Sequence, residues 1–119
     1  MKTILVVDDD AMNLKMAEFI LKQKDYRVIK VLSGMEALEI LQNEEVDLIL
    51  LDIEMPVMGG FQTYEKIREN PVSQNIPVAF LSASSEEEVI EKAFHMGAVD
   101  YIKKPFIPKD LQDHVANIV

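Results

Sequence analysis

Ile4-Leu5-Val6-Val7-Asp8-Asp9-Asp10 is an apolar run of strand length that ends in consecutive carboxylates. Leu48-Ile49-Leu50-Leu51-Asp52 repeats the arrangement with a single aspartate, and Val99-Asp100-Tyr101-Ile102-Lys103-Lys104-Pro105 ends a third run on two lysines. If these runs are neighbouring parallel strands, their carboxyl ends gather several carboxylates and a lysine in one small volume. Like charges at that range raise one another's pKa unless a cation offsets them, so the cluster calls for a neutralising partner.

Along the whole chain, apolar runs alternate with helix-like segments five times. The expected strands are Thr3–Val7, Arg27–Val31, Asp47–Leu51, Ile76–Leu81 and Val99–Ile102. They are rich in Val, Ile and Leu with little alternation, as strands covered on both faces are. Between them run stripes at helical spacing: Met12, Met16, Phe19 and Ile20; Ala37, Leu38 and Leu41; Phe61, Tyr64 and Ile67; Val89, Ile90, Ala93 and Phe94; Leu111, Val115 and Ile118. Each stripe is expected to be a buried helix face. Ser33 with Glu36, and Ser85 with Glu88, read as capping boxes. Asp10 reads as a helix N-cap and Gly97 as a left-handed C-cap. Repeated βα units imply an α/β fold, a parallel sheet with right-handed crossovers and helices on both faces. Ligands in such sheets bind beyond the strand carboxyl ends, where the charged residues lie. Periodicity does not order the strands; the five-unit length suits 2-1-3-4-5.

The totals bound the function. A chain of 119 residues that is 49% apolar suits one globular domain with one core. The absence of cysteine excludes disulfides and thiolate metal sites and fits a reducing compartment. No apolar stretch reaches the length of a membrane span, and the N-terminus has no signal-peptide core. A formal charge of −9 disfavours direct nucleic-acid binding, which needs cations against phosphate. The expectation is a soluble, cytoplasmic protein.

If Asp8, Asp9 and Asp52 share a pocket, an oxygen-preferring divalent metal is their natural partner. Mg²⁺ takes one or two carboxylates, keeps waters and accepts a phosphate oxygen. No histidine or cysteine lies nearby in sequence, which disfavours zinc; His95 and His114 fall in helical segments and read as ordinary surface or core-edge residues. A carboxylate beside a metal and facing a phosphoryl donor can attack phosphorus to give an aspartyl phosphate. Catalysis is then mostly positioning and placement of positive charge. Lys104 would bring a compact cation to the phosphate. Ser82 would offer a hydroxyl, and Ala83 is small enough for the group to approach its backbone amide. Taken singly, each of these is a common turn, cap or loop residue. Their joint placement at four strand ends is what carries the reading.

On these blocks the chain resembles a response-regulator receiver domain of bacterial two-component signalling. The blocks are Ile4–Asp10; Leu51-Asp52-Ile53-Glu54-Met55-Pro56-Val57-Met58-Gly59-Gly60; Leu81-Ser82-Ala83; and Gly97-Ala98-Val99-Asp100-Tyr101-Ile102-Lys103-Lys104-Pro105-Phe106. The resemblance covers residues 1–119. It implies a flavodoxin-like fold of strand order 2-1-3-4-5 and Asp52 as the phosphoacceptor. It implies Mg²⁺ (or Mn²⁺) held by Asp9, Asp52 and the backbone carbonyl of Glu54, with Asp8 acting mostly through water. Lys104 would bind phosphate, held by a cis Lys104–Pro105 bond. Ser82 and Tyr101 match the switch pair, the hydroxyl moving to the phosphate as the ring turns inward. The implied partners are a histidine kinase or phosphotransfer protein, and an output domain or target met by the face formed by the fourth helix, fifth strand and fifth helix.

The chain departs from the family pattern in places. Gly59 stands where the family often has aspartate, so loop geometry is expected to change and the chemistry to survive. His114 stands about where one DNA-binding subfamily carries a positive residue for a fixed dimer. Glu54 occupies a position whose side chains tune dephosphorylation, by orienting or by repelling the attacking water. The stripe Leu111, Val115, Ile118 runs up to Val119 without a cap, which suggests a receiver taken from a longer protein. The rival readings are a Mg²⁺-dependent phosphohydrolase with an aspartyl-phosphate intermediate, for which Glu54 lies at the second-acid offset, and a degenerate receiver that acts as an interaction module.

Overall fold

The computed structural model describes all residues from Met1 to Val119. Five strands alternate with five helices: β1 (Thr3–Val7), α1 (Ala11–Lys22), β2 (Arg27–Val31), α2 (Gly34–Leu41), β3 (Leu48–Asp52), α3 (Gly60–Glu69), β4 (Val78–Ser82), α4 (Glu87–Met96), β5 (Asp100–Lys103) and α5 (Pro108–Ala116). All pair in parallel in the order β2-β1-β3-β4-β5. The expected α/β architecture and strand order are those observed.

Strand alternation divides the core in two. Ile4, Val6, Leu48, Leu50, Ala79, Leu81 and Ile102 face α1 and α5. Leu5, Val7, Ile49, Leu51, Val78 and Phe80 face α2, α3 and α4. The central strands β1, β3 and β4 are buried along their whole length, which is why they read as continuous apolar runs.

The first two strands run as expected, and the other three are shifted towards their carboxyl ends. β4 starts at Val78, after Pro77, which has no N–H to donate to a ladder. Asp47 lies outside β3 and instead clamps Thr3, accepting its amide at 2.8 Å. These shifts bring Asp52, Ser82 and Lys103 inside strands, as their last residues.

The expected α1 face is a correction. Leu14, Ala17, Ile20 and Leu21 are buried, whereas Met12, Met16 and Phe19 are exposed. Two apolar stripes coexist on this helix, and the one that meets Ile4, Val6 and α5 wins. Phe94 is likewise exposed on α4, where Ala93 is the buried residue.

The caps divide similarly. Asp10 caps α1, accepting the Met12 amide at 2.9 Å, and Ser33 caps α2, accepting the Glu36 amide at 3.2 Å. Ser85 does not cap α4. The helix starts one residue later, behind Glu86, and the Ser85 hydroxyl contacts Lys103 Nζ instead. Gly97 ends α4 at φ +111°, a conformation that favours glycine.

Candidate functional site

The register of the sheet assembles the site. Val7 pairs with Leu51, Asp52 with Leu81, and Ser82 with Lys103, so four adjacent strands end at one level. Asp8 follows β1, Asp52 ends β3, Ser82 ends β4 and Lys104 follows β5. Asp8, Asp52 and Ser82 are buried, Lys104 is half-buried and Asp9 is exposed. The close approach of the loop after β3 depends on Gly60. A Cβ there would lie 2.3 Å from the Asp52 carbonyl oxygen.

Lys104 Nζ lies 3.1 Å from Asp52 Oδ1 and 3.2 Å from Asp8 Oδ2. Asp8 is further held by the Asp10 amide at 2.9 Å and by Asn13 Nδ2 at 3.3 Å. Asp52 Oδ1 has its ion contact to Lys104 but no hydrogen bond, although it is fully buried. Burial, and then the neighbouring Asp8 carboxylate, push the Asp52 carboxyl up to about 7, against the pull of Lys104; Glu54 adds a smaller push. Burial works to lower the Lys104 pKa, but its contacts with Asp52 and Asp8 outweigh this and leave it above the ordinary lysine value.

Carboxylate oxygens of Asp8, Asp9 and Asp52 all lie within 4.8 Å of one another. An oxygen-only donor set beside a buried carboxylate oxygen lacking a hydrogen bond fits a hard divalent cation. The Lys104–Pro105 peptide bond is cis.

The second half of the site lies at the end of β4. Ser82 Oγ donates to Glu54 Oε1 at 2.8 Å and lies 3.1 Å from Oε2; the same oxygen accepts the Ser84 amide at 3.0 Å. Tyr101 is buried, with its hydroxyl donating to the Ser84 carbonyl at 2.9 Å. Ala83 is exposed beside them.

The family model for the response regulator receiver domain matches residues 4–116. The chain belongs to the receiver domain family. A "Response regulator SaeR" from Staphylococcus aureus is 31% identical over the whole chain, which spans 51% of that protein. A "Probable cyclic di-GMP phosphodiesterase" from Vibrio cholerae is 45% identical over 87% of the chain and 23% of its own length. The chain thus spans about half or less of these curated relatives. Among solved structures, the chemotaxis protein CheY4 of Vibrio cholerae superposes with a TM-score of 0.94 at 28% identity, covering 100% of this chain and 99% of its own. The receiver domain of sensor histidine kinase PA1611 from Pseudomonas aeruginosa, with magnesium coordinated in its active site cleft, gives 0.88 at 29% identity over 98% of this chain and 96% of its own.

In this receiver the structure brings Asp8, Asp52 and Lys104 into contact, sets Asp9 at the rim, and ties Ser82 to Tyr101 through Ser84. Gly59 sits at the N-cap of α3 with ordinary extended backbone (φ −72°, ψ 175°) and supplies no side-chain cap. Asn13, Ser84 and the Glu54 side chain join the site without having been singled out for these contacts. Asn13 had a legible signal, standing on the first turn of α1 just past Asp8. The Glu54–Ser82 contact spans two strand ends and had none.

Proposed function

We propose that this receiver is a phosphorylation-dependent switch in which Asp52 accepts a phosphoryl group from a histidine kinase or phosphotransfer protein. The observation that carries this reading is the convergence on Asp52 of Lys104 at 3.1 Å and of the Asp8 and Asp9 carboxylates. In the transfer, an Asp52 carboxylate oxygen forms the bond to phosphorus. The bond from phosphorus to the donor nitrogen breaks, and its electron pair leaves with the imidazole. Lys104 would neutralise charge on the phosphoryl oxygens, and Ser82 Oγ, once turned from Glu54, and the Ala83 amide would donate to them.

Asp8, Asp9, Asp52 and the Glu54 carbonyl would hold Mg²⁺, with Mn²⁺ as a substitute. When bound, such a cation favours the ionised carboxylates and shares the charge of the phosphoryl group. The magnesium recorded in the PA1611 receiver supports the assignment. The Ser82–Ser84–Tyr101 chain would pass the modification to the face formed by α4, β5 and α5, where an output domain or target protein docks. Phosphorylation acts there by shifting the population of two existing states.

Residues 1–119 would serve as the receiver module of a longer cytoplasmic protein, in keeping with relatives of which the chain covers only part. No helix is long and apolar enough to cross a membrane. The receiver's self-catalysed phosphorylation and dephosphorylation would be its only chemistry.

The test is incubation with Mg²⁺ and acetyl phosphate, followed by intact-mass measurement. A phosphoryl adduct that is lost in Asp52→Asn is expected. Turnover of the donor without an adduct would favour the hydrolase, and no reaction would leave an interaction module.

A further inference from the structure

A serine hydroxyl has one proton to donate. In this structure Ser82 gives it to the Glu54 carboxylate, at 2.8 Å, so the hydroxyl cannot also donate to a group on Asp52. The Ser82 side chain is buried and its oxygen already accepts the Ser84 amide, which limits its freedom to turn. Glu54 reaches it from the exposed loop after β3, two residues beyond Asp52.

We infer that Glu54 is a positioning residue that latches Ser82 in the unmodified receiver and must release it before the switch completes. The inference deepens the proposed function and rests on Asp52 being the phosphoacceptor. The latch is a charge-assisted hydrogen bond, stronger than one between neutral groups. Its release is coupled to the far side of the switch. Ser84 donates its amide to the Ser82 oxygen and accepts the Tyr101 hydroxyl with its carbonyl, so a displaced Ser82 alters the support of Tyr101. Glu54 therefore opposes modification in two separable ways, by holding the hydroxyl and by placing negative charge near Asp52.

A double-mutant cycle separates them. The probe is beryllofluoride with Mg²⁺, a phosphoryl mimic that needs no donor protein, with affinity read by calorimetry. Glu54→Ala is expected to tighten binding about fivefold, equivalent to about 1 kcal/mol, the ordinary net worth of a hydrogen bond. In the Ser82→Ala background, where there is no hydroxyl to release, the gain should shrink to the charge contribution alone; in Ser82→Thr, which restores a hydroxyl, the full gain should return. An equal gain with and without the hydroxyl shows charge repulsion alone and overturns the latch. Unchanged affinity in Glu54→Ala overturns it too, while leaving the phosphoacceptor reading intact. If wild type and variants all fail to bind the probe, the phosphoacceptor reading itself falls, and the latch with it.

Discussion

Lys104 and Asp52 meet 3.1 Å apart at the carboxyl ends of β5 and β3, two strands separated by β4. Their contact bridges the pocket, and Lys104 is the cation nearest to both Asp8 and Asp52. In the absence of metal it is the main counterweight to two buried carboxylates.

Lys104→Met is therefore expected to destabilise the metal-free receiver by about 1–2 kcal/mol at pH 8. This is less than the full cost of stripping a buried ion pair, because Asp52 can take up a proton instead. The loss should shrink at pH 5.5, where Asp52 is protonated in either protein. Urea denaturation at the two pH values measures the difference.

Asp52 itself sets a pH dependence. Its carboxyl is raised from 3.8 to about 7 in the fold, so between those values the folded protein binds more protons than the unfolded chain. Stability must fall as pH rises through that window. Asp52→Asn removes the effect, and in chelator it should be more stable than wild type by about 1–2 kcal/mol at pH 8 and no more stable near pH 4. Added Mg²⁺ should stabilise wild type at pH 8 and have little effect on the variant. Thermal melts across pH, with and without the cation, test both statements.

Val57 is held at φ +68° with its side chain wholly in solvent. A β-branched residue is costly in the left-handed region and here gains no burial in return. Val57→Asn should stabilise the receiver by about 1 kcal/mol, read as a higher urea midpoint with an unchanged slope.

Gly60→Ala should act in the opposite sense. The added Cβ would meet the Asp52 carbonyl oxygen and the Ile53 Cα at 2.3 and 2.7 Å, both backbone atoms that cannot swing aside. A loss of about 2–3 kcal/mol is expected, at the upper end of overpacking costs. The loop after β3 should shift with it, so beryllofluoride affinity should fall as well as the denaturation midpoint.

Much of this was legible in the chain. The buried runs of β1, β3 and β4 and the charged residues behind them announced both the sheet and its reactive edge. Asp10, Ser33 and Gly97 marked helix ends through local chemistry that needs no distant partner. The misreadings have a common cause. Met12, Met16 and Phe19 lie on a helical stripe as regular as that of Leu14, Ala17 and Leu21, and only the position of β1 and α5 chooses between them. Ser85 has the sequence of a cap, but the Tyr101–Ser84 and Lys103–Ser85 contacts hold its loop in another geometry.

Strand burial and helix periodicity are written in local order, so the chain alone carries the α/β alternation, the residues at each strand end, and the charges that need a neutralising partner. Which of those residues touch is set by the packing of the folded sheet. Parallel pairing in the order β2-β1-β3-β4-β5 brings Lys104 to Asp8 across 96 positions of sequence, and it sets Glu54 on Ser82. Contacts between strand ends depend on register and loop path, and no local pattern of residues encodes them.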